Sequence, residues 1–293
     1  MRSLQFTASG AAASPEVVQL RLSAHFANRI QAGAPVPARD LSNDEVVANL
    51  RYFSVDRSGP RTRPCTALVL SGEGLADREG LSVAIEAARA LGYERVTLHL
   101  DGQGVQQLPG SPLDGLCDAV SVALDALPEA PLGETLGALQ NTTGGRPFVT
   151  VVLRLNAATL PNLFTLCAAL PSSCVDRVVL TWPFIASIAP PPAEEVVAAL
   201  PGVLSALETS GIQAGVKGLP LCVLGDLAHY AWKSGNRFYV DANHQMEGAL
   251  LFFPEVVQFK KPDVCRHCTV NHQCDGAPAA WLDSGLVSGI GPV

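Results

Sequence analysis

Cys222, Cys265, Cys268 and Cys274 are the residues whose type and spacing point most directly to chemistry. The last three form a C-x2-C step followed by C-x5-C. Two thiolates from one turn and a third after a short loop can face a single metal ion or cluster. In a cytosolic chain such a group is expected to bind metal rather than form disulfides. His267 and His272 lie inside the same loop, and histidines so placed are expected outside the ligand set, beside the metal or in solvent. Cys65, Cys117, Cys167 and Cys174 stand in or beside apolar runs, where cysteine serves as a small hydrophobe.

Positioning those thiols requires a scaffold, and the middle of the chain supplies the pattern of one. Short apolar runs rich in β-branched residues alternate with longer helical stretches, the pattern of β-α-β units around a parallel sheet. Strands are predicted at Val17 to Ser23, Thr66 to Ser71, Arg95 to Leu100, Ala119 to Leu124, Phe148 to Leu155 and Arg177 to Trp182. Helices are predicted at Ser42 to Tyr52, Arg78 to Leu91, Leu132 to Leu139, Leu160 to Leu170 and Ala193 to Thr209. The first opens on Ser42-Asn43-Asp44-Glu45, a capping box in sequence form. Six parallel strands fit either a doubly wound sheet or a barrel, and periodicity does not choose between them. After about Gly211 the alternation stops, and a small appendage built around the cysteines is expected. Between Cys222 and Cys265, the stretches from Arg237 to Gln245 and from Leu250 to Phe259 read as short strands or turns with an aromatic face. That face is expected in the core, with an edge strand able to accept a peptide by strand addition as the alternative.

The chain has 293 residues, 48% hydrophobic and 16% charged, with a formal net charge of -7. That is a globular composition without the basic footprint of a nucleic-acid binder. No segment has the uncharged length of a bilayer span, so no membrane partner and a cytoplasmic location are expected. No Walker loop, serine triad or strand-linked G-x-G-x-x-G argues for an unrelated enzyme class.

From Val17 to Thr209 the order of elements and the residues at strand ends resemble the radical S-adenosylmethionine (SAM) superfamily. Leu68-Val69-Leu70-Ser71-Gly72-Glu73-Gly74 is similar to the family's second-strand motif, usually GGEP, with Ser71 and Gly74 in place of its first glycine and its proline. Asp118 to Asp125 resembles the fourth strand, keeping Ser121, and Val151 to Asn156 the fifth. The resemblance implies a partial (β/α)6 TIM-like barrel over residues 1–210 and a Cys-rich extension over 211–293. It also implies cofactor-binding roles for Ser71, Gly72, Glu73, Gly74, Ser121 and Asn156, at the mouth of the barrel with Trp182 near them. For Glu73, amine recognition and a strand-end carboxylate bonded to backbone stand as equal readings.

The family's C-x3-C-x2-C loop after the first strand is missing, since no cysteine occurs before Cys65. His25 begins the corresponding segment and is read as a loop histidine. Three thiolates leave one iron of a [4Fe–4S] cluster open, and imidazole does not replace them. Reductive cleavage of SAM by this chain alone is therefore not expected. The C-terminal cysteines look like an auxiliary-cluster region of SPASM or twitch type, with Cys222 as fourth ligand. The resemblance favours one iron–sulfur cluster over zinc, while spacing alone leaves both open. Its implied setting is peptide maturation, with a peptide substrate or a radical SAM partner protein. Two further readings are an enzyme using the barrel mouth for SAM or another nucleoside-type ligand, and a zinc-stapled scaffold.

Overall fold

The structure is a computed structural model, and it describes residues 15–23, 37–55, 64–108, 111, 113–124, 132–137, 139, 145–183, 190–232, 237–250, 259–282 and 284–292. The strands are β1 (Val17–Arg21), β2 (Ala67–Ser71), β3 (Arg95–Asp101), β4 (Ala119–Leu124), β5 (Phe148–Arg154), β6 (Arg177–Thr181), β7 (Gln213–Lys217) and β8 (Phe238–Val240). They are ordered β7-β6-β5-β4-β3-β2-β1-β8. Strands β1 to β7 therefore follow one another in chain order, as consecutive β-α-β units produce. All six predicted strands are present. The seventh, β7, was not expected, because Gln-Ala-Gly-Val-Lys offers one large apolar side chain and no alternation. The chain divides into two compact units, residues 1–122, 134–149 and 234–253, and residues 123–133, 150–233 and 254–293.

In the first unit β1 pairs in parallel with both β2 and β8. Leu20 is partnered by Leu70 on one side and Val240 on the other. Helices α1 (Asn43–Phe53) and α2 (Leu81–Ala90) pack on each other, burying Val46, Leu50 and Phe53 from α1 and Leu81, Ala84, Ile85 and Ala88 from α2. Burial of each large aliphatic side chain is worth about 1.5–3 kcal/mol. The capping box is formed: Glu45 N donates to Ser42 Oγ at 3.2 Å and Ser42 N to Glu45 Oε2 at 2.8 Å. Phe238 packs against Phe53 with ring centroids 4.8 Å apart. Phe238 and Tyr239 are both buried, so these aromatics belong to the core. Tyr239 also exchanges two backbone bonds with Leu250, at 2.8 and 2.9 Å, which occupies the β8 edge at that residue. Most of the second aromatic stretch, residues 251–258, lies outside the described residues, as does the 24–36 segment containing His25.

In the second unit β6 pairs in parallel with β5 and β7. After α3 (Gly102–Gln107) and α4 (Leu132–Gly137) in chain order, helix α5 (Leu163–Ala168) packs on α6 (Ala193–Thr209), whose Val196, Leu200, Val203, Leu204 and Leu207 are buried. The α6 bounds are those predicted. Gly218 has φ +98°, and a Cβ there would lie 2.4 Å from the Trp182 carbonyl oxygen, so the chain leaves β7 through a position only glycine fills. It then enters the short helix Leu221–Leu224, which carries Cys222. Further on, β9 (Phe259–Lys260) and β10 (Ala277–Pro278) pair antiparallel and bracket the other three cysteines. Among the described residues no helix is long and apolar enough to cross a membrane.

Candidate metal centre and strand-end residues

The β9–β10 pair closes the base of the cysteine loop. Pro262 starts a 3-10 turn over Asp263–His267, in which Cys265 N donates to Pro262 O at 3.0 Å. Cys268 N then donates to Cys265 O at 3.2 Å, so the C-x2-C step is one turn. Asn271 N bonds Cys268 O at 3.1 Å and Cys274 N bonds Val270 O at 3.0 Å, carrying the loop round to Gly276. Gly276 has φ +92°, and a Cβ would fall 2.3 Å from Lys260 O. Its N–H donates to Cys274 Sγ at 3.4 Å.

Cys222, Cys265, Cys268 and Cys274 all line one small cavity, together with Lys261 and Gly276. Each of the four is half-buried, and none of the eight cysteines is in a disulfide. His267 and His272 are exposed and do not line the cavity. Among the described residues no group of three or more His, Cys, Asp or Glu is arranged to hold a metal ion. The cavity brings Cys222 to the same place as three cysteines of a distant loop. Four thiols line this one cavity, and that of Cys274 accepts a backbone N–H.

The remaining cysteines have another environment. Burial pushes the Cys65 thiol up to about 12, helped by Glu16, and raises Cys167 to about 12. Burial, with Asp118 adding to it, takes Cys117 up to about 11. Thiols held protonated in this way are poor ligands and poor nucleophiles, which agrees with the packing role read from the sequence.

Among the strand-end residues, Ser71 ends β2 and is buried, with its Oγ donating to Leu20 O at 3.4 Å. Gly72 follows in close contact with the chain just after β1, since a Cβ would come within 3.2 Å of Ser23 N. Glu73 and Gly74 are exposed, and Gly74 has φ +65°. Ser121 is half-buried in the middle of β4 rather than at its end. These five lie in the first unit, and Asn156 and Trp182 lie in the second. Asn156 Oδ1 accepts from the N–H groups of Ala158 and Thr159, at 2.9 and 3.0 Å. Trp182 is fully buried and donates from Nε1 to Pro191 O at 2.9 Å.

One polar group of the first unit was not anticipated. Arg21, Ser71 and His99 share a register row across β1, β2 and β3. Asp241 directly follows Val240, the partner of Leu20. Asp241 is fully buried, and its Oδ1 accepts from Asn243 N, His244 N and His244 Nδ1 at 2.8 to 2.9 Å. A buried carboxylate holding an imidazole by Nδ1 fixes its tautomer. The signal available in the sequence was a charged residue at the end of each apolar run, in Leu20-Arg21 and Val240-Asp241.

No known protein family matches the sequence, and no curated protein is similar to it. Solved structures do match. SuiB of Streptococcus suis aligns with a TM-score of 0.52 at 8% identity, covering 78% of this chain and 59% of that one. SuiB bound to S-adenosylmethionine aligns with a TM-score of 0.57 at 9% identity, covering 97% of this chain and 77% of that one. In the first alignment the chain thus spans 59% of the length of its neighbour. Identities this low carry the fold and no residue roles. The fold is a parallel α/β arrangement around an eight-stranded sheet, consistent with a partial TIM-like barrel.

Proposed function

We propose that this chain is a radical SAM-like protein without a radical-forming cluster of its own. It holds one iron–sulfur cluster, of the [4Fe–4S] type, on Cys222, Cys265, Cys268 and Cys274, and serves a peptide substrate or a catalytic partner in peptide or natural-product maturation. The observation that carries this reading is the single cavity lined by all four cysteines. The fold shared with SuiB supports the superfamily, and the lack of any cysteine before Cys65 supports the missing first cluster. The partner class follows from the likeness of the C-terminal cysteine region to peptide-modifying enzymes.

When bound, the cluster supplies one-electron transfer or a Lewis-acidic iron. The chain's own part is to orient the thiolates through the Cys265–Cys268 turn and to place the Gly276 N–H against Cys274 Sγ. At the strand ends, the bonds of Ser71 to Leu20 O and of Asn156 to its turn direct those side chains to backbone rather than to a ligand. Anaerobic incubation of the reduced protein with SAM tests the reading. No 5′-deoxyadenosine above a contaminant control is expected. Its formation by this chain alone contradicts the missing-cluster reading, and a preparation that takes up zinc but never iron and sulfide turns the protein into a zinc-stapled scaffold.

A further inference from the structure

Lys261 stands between β9 and the turn that carries Cys265, and it is one of the residues lining the same cavity as the four cysteines. Its Nζ donates to the backbone oxygen of Asn271 and, at 2.6 Å, to Asn271 Oδ1. Both partners are neutral. The nearby carboxylate of Asp263 is taken up by Arg266 at 2.8 Å on the exposed side of the turn, where the two side chains are 89% and 78% exposed. A half-buried ammonium bonded to amide oxygens recovers less of its lost hydration than one bonded to a carboxylate. Four thiolates around one divalent metal, or around a cubane, make a centre of net negative charge, which such an ammonium would offset.

We propose that Lys261 is a positioning residue for the four-thiol centre, holding the Asn271 part of the loop and supplying the positive charge beside the thiolates. This rests on the metal-centre reading above. Two functions are combined in one side chain. The hydrogen bonds to Asn271 tie residue 261 across the loop, so that Cys265 and Cys268 lie within a closed segment. The charge favours the thiolate form of whatever centre is assembled there, independently of whether the metal is iron or zinc.

Anaerobic titration with Co(II), whose thiolate charge-transfer band reports sulfur ligation, separates these statements. In wild type the band is expected to saturate at one Co(II) per chain. Lys261→Met is expected to keep the band but weaken binding about tenfold, the lower end of what partners outside the ligand set contribute. Lys261→Arg, which keeps the charge, should restore affinity to within about threefold of wild type, and Asn271→Ala, which keeps the ammonium, should also lose less than about threefold. Equal affinities for wild type and Lys261→Met overturn the role of Lys261 while leaving the centre standing. Comparable losses in all three variants reduce Lys261 to a loop staple and overturn the charge argument. Should Lys261→Met fail to fold, the arginine and Asn271 variants still decide the matter. A wild-type protein with no thiolate band contradicts the four-thiol centre itself, and with it any such role for Lys261.

Discussion

At the end of β5, Asn156 turns its amide oxygen onto two backbone N–H groups, whereas in the C-terminal loop Cys268 gives its backbone to a turn and leaves its thiol on a cavity wall. Both positions read as functional in the sequence, and the difference lies in what the fold uses. A polar side chain whose acceptor is taken by the next turn acts as an internal cap, and its loss is felt by the fold. The cysteine loop is closed by backbone bonds and by the β9–β10 pair, and its cysteines line the cavity.

Substitutions at the two places should separate accordingly. The largest effect is expected for Cys268→Ser, which removes one of four thiols from the cavity. Metal content should fall to background, and hydrogen exchange should rise across residues 259–282, because small metal-stapled segments depend on their metal for order. Protection in β1, β2 and β3 should stay unchanged. Retained metal, or exchange unaltered in the loop, would break the comparison from the thiol side.

A smaller effect is expected for Asn156→Ala. The one buried oxygen that accepts from two N–H groups is lost, which should cost about 1–2 kcal/mol in urea unfolding. Metal content should be untouched. If Asn156→Ala leaves stability unchanged but abolishes binding of SAM, Asn156 is a ligand residue and the internal-cap account fails.

The smallest effect concerns the start of α1. Arg39, bonded to Glu45 at 2.6 and 2.7 Å, holds the Glu45 carboxyl well below the usual carboxylate range, against the opposing effect of burial. With the folded value depressed, the stabilisation is present above the unfolded value, near about 4.3, and is lost as pH falls below it towards the folded value. Glu45→Gln should therefore cost about 1 kcal/mol near neutrality, and less as the pH drops below about 4. A cost that is constant from neutral pH to pH 3 would assign the effect to helix propensity instead.

The predicted strands and α6 were legible because each is a run of residues whose period matches a buried parallel strand or an amphipathic helix. Ser42 and Glu45 announced their own capping box. Strand β7 was not legible, since its place is fixed by pairing with β6 and by Gly215, whose missing Cβ leaves room for Trp232. Nor was the Asp241–His244 pair, because its meaning depends on β8 returning beside β1, a contact between residues more than two hundred positions apart. The cysteines were legible as a set through their spacing. What the sequence left undetermined was whether Cys222 joined them, and the cavity brings it to the other three.

The most direct test of the account is therefore the metal and sulfide content of anaerobically purified protein, measured for wild type and for Cys222→Ser. The account predicts one [4Fe–4S] cluster per chain in wild type, with about four iron and four sulfide, and loss of that cluster in Cys222→Ser. Iron and sulfide absent from wild type, or unchanged when Cys222 is replaced, would contradict it.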